Sequence, residues 1–165
     1  MKLYLKILKE KDVTKNYVEW FKNKKVVKFS KNQNQNFTLA KQKKYVNSCL
    51  KNKNVALYGI FDDKKHIGNI LIIGLCTEDK AAEITYIIGD TTYWGKGVGS
   101  FAISEIISLA KLKYKLRKLF ALLADKNYGS KVILEKNEFV LESIRKKKLV
   151  FNKKVYNQLH YELII

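Results

Sequence analysis

Between Tyr93 and Ser100 the chain reads Tyr-Trp-Gly-Lys-Gly-Val-Gly-Ser, with glycine at alternate positions 95, 97 and 99, and no other stretch restricts the fold as much. It stands between a β-branched run, Ala81 to Ile88, and a long helical pattern from Gly99 to Lys113 in which Phe101, Ile103, Ile106, Ile107 and Leu109 are apolar. Glycine lets a backbone turn freely and approach a ligand closely. Amides at a helix start have no intrahelical acceptor and attract phosphate oxygens. Strand, glycine turn and helix in that order therefore predict a cradle for a pyrophosphate, the plain alternative being a tight strand-to-helix connection. Two other phosphate loops fail on the same residues. A Walker loop ends Gly-Lys-Ser/Thr, whereas this turn ends Gly-Val-Gly-Ser. A dinucleotide turn follows the first strand and is answered by an acidic residue at the end of the next, whereas this one lies past the middle of the chain, after strands that read as antiparallel.

The remaining pattern alternates short strands with helices. Leu3, Leu5 and Ile7 alternate with Lys2, Tyr4 and Lys6, which is strand periodicity. Asp12 or Thr14 is placed to cap a first helix carrying Val18, Trp20 and Phe21, and Thr38 a second, whose apolar side is Leu39, Tyr45, Val46, Cys49 and Leu50. A loop rich in Asn and Gln at 31–36 separates them. Strands are predicted at Val55 to Phe61, His66 to Leu75 and Ala81 to Ile88, with Asp62-Asp63-Lys64-Lys65 as a hairpin turn. Leu119 to Ala124 reads as a buried strand, Ser130 to Lys136 as a helix, and Phe139 to Arg145 and Lys154 to Ile164 as the final strands. The fold class is mixed α/β, a central and mostly antiparallel sheet flanked by helices. At 165 residues the chain can bury a core as one domain, 1–165, without disulfides or metal. Cys49 and Cys76 follow no metal-ligand or redox spacing and fit a reducing compartment. With a charged N-terminus and no stretch near the ~18 apolar residues of a spanning helix, a soluble cytoplasmic protein with no membrane partner is expected.

The net charge of +18 raises the question of nucleic acid. A footprint that reads phosphates or bases favours arginine, whose planar fork pairs with two acceptors at once; here only Arg117 and Arg145 are arginine, and the lysines are scattered without interleaved aromatic residues. Nucleic acid is disfavoured as a partner. A positive surface does attract anionic ligands of other kinds.

Trp94-Gly95-Lys96-Gly97-Val98-Gly99 resembles the signature of the Gcn5-related N-acetyltransferase (GNAT) family, Arg/Gln-x-x-Gly-x-Gly/Ala, with Trp in the Arg/Gln position as the Rim-type branch commonly writes it. A second block, Asn127-Tyr128-Gly129-Ser130 followed by Leu134-Glu135-Lys136-Asn137-Glu138-Phe139, is similar to the family's Asn-x-x-Ser/Ala and Glu-Lys-x-Gly-Phe segment, with Glu138 in place of Gly. The resemblance covers roughly residues 55 to 164. It implies an acetyl-CoA-dependent N-acetyltransferase with no metal, residues 1–54 forming the substrate side and 55–165 the acyl-CoA-binding core. It further implies that the backbone of Tyr86, Ile87 and Ile88 holds the acyl and pantetheine portion, that the amides of Trp94, Gly95, Lys96, Gly97, Val98, Gly99 and Ser100 hold the pyrophosphate, and that Asn127 and Ser130 touch the far side of the cofactor.

Acyl transfer from a thioester to an amine needs a base, a hydrogen-bond donor for the oxyanion and an acid for the thiolate. Glu83 stands at the offset from the glycine turn where the histone-acetylating branch carries its base. Strand alternation puts it with Thr85 and Ile87, opposite Ala82 and Ile84, and half-burial there would raise its pKa into a useful range. The structural alternative is a solvated or ion-paired carboxylate. Many family members place an acidic tyrosine seven residues after the Asn; that position is Leu134, which leaves Tyr156 and Ser130 as candidates. His66, after a polar turn, is expected in solvent, and His160, among apolar neighbours, in the core.

The acceptor surface is expected around Trp20, Phe21, Lys22 and Asn23 and the loop 29–37, although a helix tryptophan is more often core. Similarities in 17–23 and 67–70 point to enzymes acting on nucleotide-linked amino sugars or on protein N-termini. A basic surface favours such acceptors over polyamines. A non-catalytic acyl-CoA-binding or sensing domain is the alternative from another class, and a homodimer stays open.

Overall fold

A computed structural model describes residues 1–33 and 35–165; Asn34, in the Asn/Gln-rich loop expected on the substrate side, lies outside the described residues. The elements run β1 (Leu3–Ile7), α1 (Lys15–Trp20), α2 (Leu39–Lys51), β2 (Val55–Asp62), β3 (Lys65–Ile73), β4 (Ala81–Ile88), α3 (Val98–Leu112), β5 (Lys118–Ala124), α4 (Tyr128–Lys136), β6 (Val140–Phe151) and β7 (Lys154–Ile164), in the order the sequence predicts. Thr14 and Thr38 cap α1 and α2, their side chains accepting from the Tyr17 and Lys41 amides at 3.3 and 3.2 Å. Asp12 is instead engaged by the Lys9 amide and the Lys6 ammonium.

One seven-stranded sheet holds the strands in the order β1-β2-β3-β4-β5-β7-β6. Every neighbouring pair is antiparallel except β4 and β5, which are parallel. Period-two alternation gives the sheet two apolar faces. Tyr58, Ile70, Ile72, Ala82, Ile84 and Leu119 pack with Ile103 and Ile106 of α3 and Leu134 of α4 on one face. On the other, Leu57 and Phe61 meet Tyr17 and Trp20 of α1 and Val46 and Cys49 of α2. Each fully buried aliphatic side chain contributes about 1.5–3 kcal/mol. Ile106, with no exposed surface, is such a residue, and its truncation to Ala should cost about 2–5 kcal/mol.

Several expectations are corrected. His66 is buried: its ring stacks on Phe61 with centroids 4.8 Å apart and meets Trp20 and Tyr17 edge-on, while Nε2 lies 2.7 Å from the Asn69 side-chain oxygen. The polar turn before it does not expose it because α1 lies over the start of β3. In α2 the buried stripe is Gln42, Val46 and Cys49, and Tyr45 and Leu50 face solvent. β6 runs on to Phe151 through the basic segment Arg145–Lys148, with a register shift between Arg145 and Leu149. As the sheet's edge strand it tolerates those charges, which also discourage edge-to-edge pairing. β5 is not buried on both faces; Phe120 and Leu122 are only partly covered.

Candidate active site

β4 and β5 pair only at Ala81↔Lys118, Ala82↔Leu119 and Glu83↔Phe120. Beyond this point β4 stays paired with β3 as far as Ile88↔Gly68, and β5 stays paired with β7 as far as Ala124↔Gln158. The two strands therefore part, and the edge of β4 at Tyr86, Ile87 and Ile88 that faces β5 has no ladder partner among the described residues. Backbone polar groups need partners, so the gap suits an extended ligand carrying amides of its own.

The glycine turn follows at the open end of the gap. Gly95 and Gly97 have φ of 73° and 79°, in the left-handed region that favours glycine. A Cβ built on either would meet no atom within 4 Å, so the space in front of the turn is free. Gly97 occupies the N-cap position of α3 and has no side chain to satisfy the first turn. The expected set of amides is corrected in two places. The Trp94 amide donates to the Thr91 carbonyl and the Lys96 amide to the Tyr93 carbonyl, so neither points outward. The amides of Gly95, Gly97, Val98, Gly99 and Ser100 have no backbone acceptor among the described residues. The Trp94 indole N–H donates to the Ile88 carbonyl at 2.9 Å, latching the turn to the end of β4 and occupying one group expected to face the ligand. Gly99 serves packing: a Cβ there would lie 2.6 Å from Ile133 Cδ1, so α3 and α4 approach closely because it has none. The Ser100 hydroxyl accepts from the Asn137 amide group at 3.0 Å.

Asn127 caps α4, its side-chain oxygen accepting from the Ser130 amide at 3.4 Å. Ser130 is partly buried and lies toward the Tyr86 side chain, which extends from β4 on the α3 face. The Tyr86 hydroxyl is buried and makes no hydrogen bond of proper geometry among the described residues. Burial pushes that phenol up to about 12, against a smaller opposing pull from the nearby Ser130. Leu134 is core, 1% exposed. Glu138 keeps the turn that a glycine would make, at a φ of 66°.

Glu83 is half-buried and on the opposite face, as strand alternation predicts, with Ala82 and Ile84 inside the α3 core. Desolvation raises its carboxyl above the ordinary glutamate range, opposed by the charges of Lys31 and His160. His160 is partly exposed rather than core; its Nδ1 lies 3.3 Å from Glu142 Oε2, and its ring meets Phe120 edge-on with centroids 5.3 Å apart. Tyr156 stands perpendicular to Phe29, 5.6 Å between centroids, and beside Phe151, so the loop after α1 closes against the β6–β7 hairpin.

The predicted residues thus fall into two groups on either side of the gap. Tyr86, Asn127, Ser130 and the glycine turn belong to the α3–α4 side, and Glu83 and Tyr156 to the α1–α2 side. Trp20 does not join them; it is 6% exposed and packs so tightly that a Cβ on Gly89 would lie 1.9 Å from its ring. Glu142 was not predicted, because nothing in a single sequence says that β7 inserts between β5 and β6, and neither was the Tyr86 hydroxyl, since only that residue's backbone was expected to act; Lys31 lies in the loop 29–37 expected on the acceptor side. Two surface concavities sharing Asn16, Lys65 and His66 lie by α1 and the β2–β3 turn. They contain neither Glu83 nor any of the three glycines, and the parted strands are the better site because free amides border the gap at one end and a raised carboxyl at the other. Among the described residues, no cluster of three His, Cys, Asp or Glu side chains is placed to hold a metal ion, and no helix is long and apolar enough to cross a membrane.

Residues 2–140 match the family described as acetyltransferase (GNAT) domain. The chain belongs to that family and is an acetyl-CoA-dependent N-acetyltransferase by class. No match is found among curated proteins. Among solved structures, spermidine N-acetyltransferase from Vibrio cholerae in complex with CoA and spermine is similar at 17% identity, with 99% of this chain and 95% of that one covered and a TM-score of 0.88. RimL, a ribosomal L7/L12 alpha-N-protein acetyltransferase in complex with coenzyme A, is similar at 19% identity, with 100% and 95% covered and a TM-score of 0.88. The ribosomal-protein-S5-alanine acetyltransferase from Vibrio fischeri is similar at 19% identity, with 99% and 93% covered and a TM-score of 0.87. The mixed sheet and its flanking helices are those of GNAT structures.

Proposed function

We propose that the chain, acting as one domain, acetylates the primary amine of an anionic acceptor, a protein N-terminus foremost and a nucleotide-linked amino sugar next. Acetyl-CoA supplies a thioester whose carbonyl carbon accepts the amine and whose thiol leaves. The observation that carries the reading is the parting of β4 and β5, with unsatisfied amides at one end and the raised carboxyl of Glu83 at its root. Gly95 and Gly97 to Ser100 would hold the pyrophosphate through their amides, the β4 edge at Tyr86 and Ile87 the pantetheine arm, and Asn127 the far side. Glu83 takes a proton from the incoming ammonium, and its raised pKa suits that task near neutral pH. On the leaving-group side the proton donor is assigned to Ser130, beside Tyr86. A serine alone is a poor acid, and the neighbouring Tyr86 hydroxyl, with no other partner, is available to orient it.

Residues 1–54 supply the acceptor side. Lys31 reaches toward Glu83, Lys28 lies over Phe29, and the hairpin that Phe29 touches carries Arg145, Lys146, Lys147, Lys148, Lys153 and Lys154. Such a rim attracts carboxylates and phosphates and repels a polycation. The test is thiol release from acetyl-CoA with Ala- and Ser-starting peptides of acidic sequence, amino-sugar nucleotides and polyamines, repeated with Glu83→Gln. Turnover with polyamines alone would refute the acceptor assignment, and unaltered turnover in Glu83→Gln would remove Glu83 as base. The buried Leu134, where many relatives carry a tyrosine, favours a second reading, a domain that binds acyl-CoA without catalysis. Thermal stabilisation by CoA with no thiol release across all amines would decide for it.

A further inference from the structure

Glu83 and His160 flank β5 on the acceptor face. Phe120 is the register partner of Glu83 on one side and of Glu162 on the other, and His160 lies two pairs further along β7, opposite Leu122 and on the same face, its ring edge-on to Phe120. Two strand spacings, about 9.6 Å, and two residues along the strand, about 6.8 Å, separate the backbones by roughly 12 Å, a span that two long side chains can bridge, and the His160 charge acts on the Glu83 carboxyl. His160 Nδ1 is 3.3 Å from Glu142 Oε2, on a side chain 46% exposed. The other ring nitrogen, Nε2, is buried and has no hydrogen-bond partner among the described residues. A buried polar atom left alone costs stability, and a fold retains one more readily where it is used. Of the other charged groups on this face, Lys118 and Glu162 pair with each other at 2.8 Å, Lys31 acts on Glu83, and Arg145 stands two residues beyond Ser143 on β6.

We propose that His160 and Glu142 carry to solvent the proton that Glu83 takes from the acceptor, an inference that rests on the reading of Glu83 as base. Acetylation of an ammonium group releases one proton net, and a half-buried carboxyl that has taken it must shed it before the next turnover. The O–H bond of protonated Glu83 breaks as an N–H bond forms at His160 Nε2, directly or across one water. The imidazolium stands beside the Glu142 carboxylate. Its Nδ1–H bond then breaks toward Oε2, and Glu142 yields the proton to water. Exchange of the ring protons with water returns the Nδ1-protonated tautomer. His160 and Glu142 are thereby positioned behind the base without touching the acceptor.

The experiment uses the whole chain as His160→Gln and Glu142→Gln, with saturating acetyl-CoA and the best amine of the panel above, at low buffer concentration with and without added imidazole. For His160→Gln the expected result is a fall in kcat on the order of 100-fold, the low end for a proton-transfer group, with KM for the amine unchanged. Glu142→Gln should fall less, and both should recover in imidazole while the parent enzyme does not respond. Full kcat in His160→Gln overturns the proposal, and so does a fall that imidazole leaves untouched, since that would be a packing role. Glu83→Gln in the same assay should stay slow with imidazole. If it turns over normally, the base reading itself has failed, whatever His160→Gln does, and the route from Glu83 fails with it.

Discussion

Gly97→Ala separates the two demands that the glycine turn meets. Its φ of 79° and the empty space where the new methyl would stand mean that the substitution meets no protein atom, so its effect on the unliganded fold is backbone strain alone. A left-handed L-residue costs about 1–2 kcal/mol, and the stiffer unfolded chain returns about 0.4–1. The net loss is about 1 kcal/mol, a drop in Tm of roughly 2–4 °C for a chain this size. Binding should suffer more, because the methyl projects into the space before the free amides. Losing one or two charge-assisted amide bonds, at about 1.5–3 kcal/mol each, weakens Kd by roughly 10- to 10⁴-fold. Calorimetry with CoA, set against an acyl-pantetheine lacking the pyrophosphate, reads the two apart. An unchanged Kd for CoA, or an equal loss for the truncated analogue, would refute the cradle.

Other consequences can be measured more simply. Glu138→Gly relieves the strain at φ 66° and should raise stability by roughly 0.5–1 kcal/mol, the difference between left-handed strain and the entropy that glycine restores to the unfolded chain, seen as a higher Tm. Trp94→Phe removes the indole donor to the Ile88 carbonyl and should cost about 1 kcal/mol or less in stability while weakening CoA more than it weakens the fold. Burial holds the folded Glu83 carboxyl above its unfolded value, so its stabilising contribution is complete below the unfolded pKa and is lost as pH rises through the folded one. Glu83→Gln should therefore melt higher than the parent at pH 7, with the gap closing toward pH 4, and it should erase an acid limb of kcat/KM that lies above the ordinary glutamate range.

The elements were legible because each carries its own local signal. Ala81 to Ile88 alternates, Thr14 and Thr38 stand before helices, and Asn127 precedes the helix it caps. Boundaries failed where tertiary context overrode local chemistry, as when the basic run Arg145–Lys148 continued an edge strand instead of ending it. Within the site, alternation sufficed to put Glu83 opposite Ile84, and three glycines sufficed to mark the turn. The proximity of His160 to Glu83 could not be read, since it follows from the order in which β5, β7 and β6 lie side by side, and that order leaves no trace in residues 118 to 164. Burial of His66 escaped for a similar reason: what hides it is α1, some fifty residues away in sequence.

Where β4 and β5 separate, the ladder opens between the two faces of the sheet, with the glycine turn on one side and the loop-and-hairpin surface on the other. Mutation can then redesign the visitor admitted through one door while the other keeps its lock, which gives a fold of this kind room to change clientele as its sequence drifts.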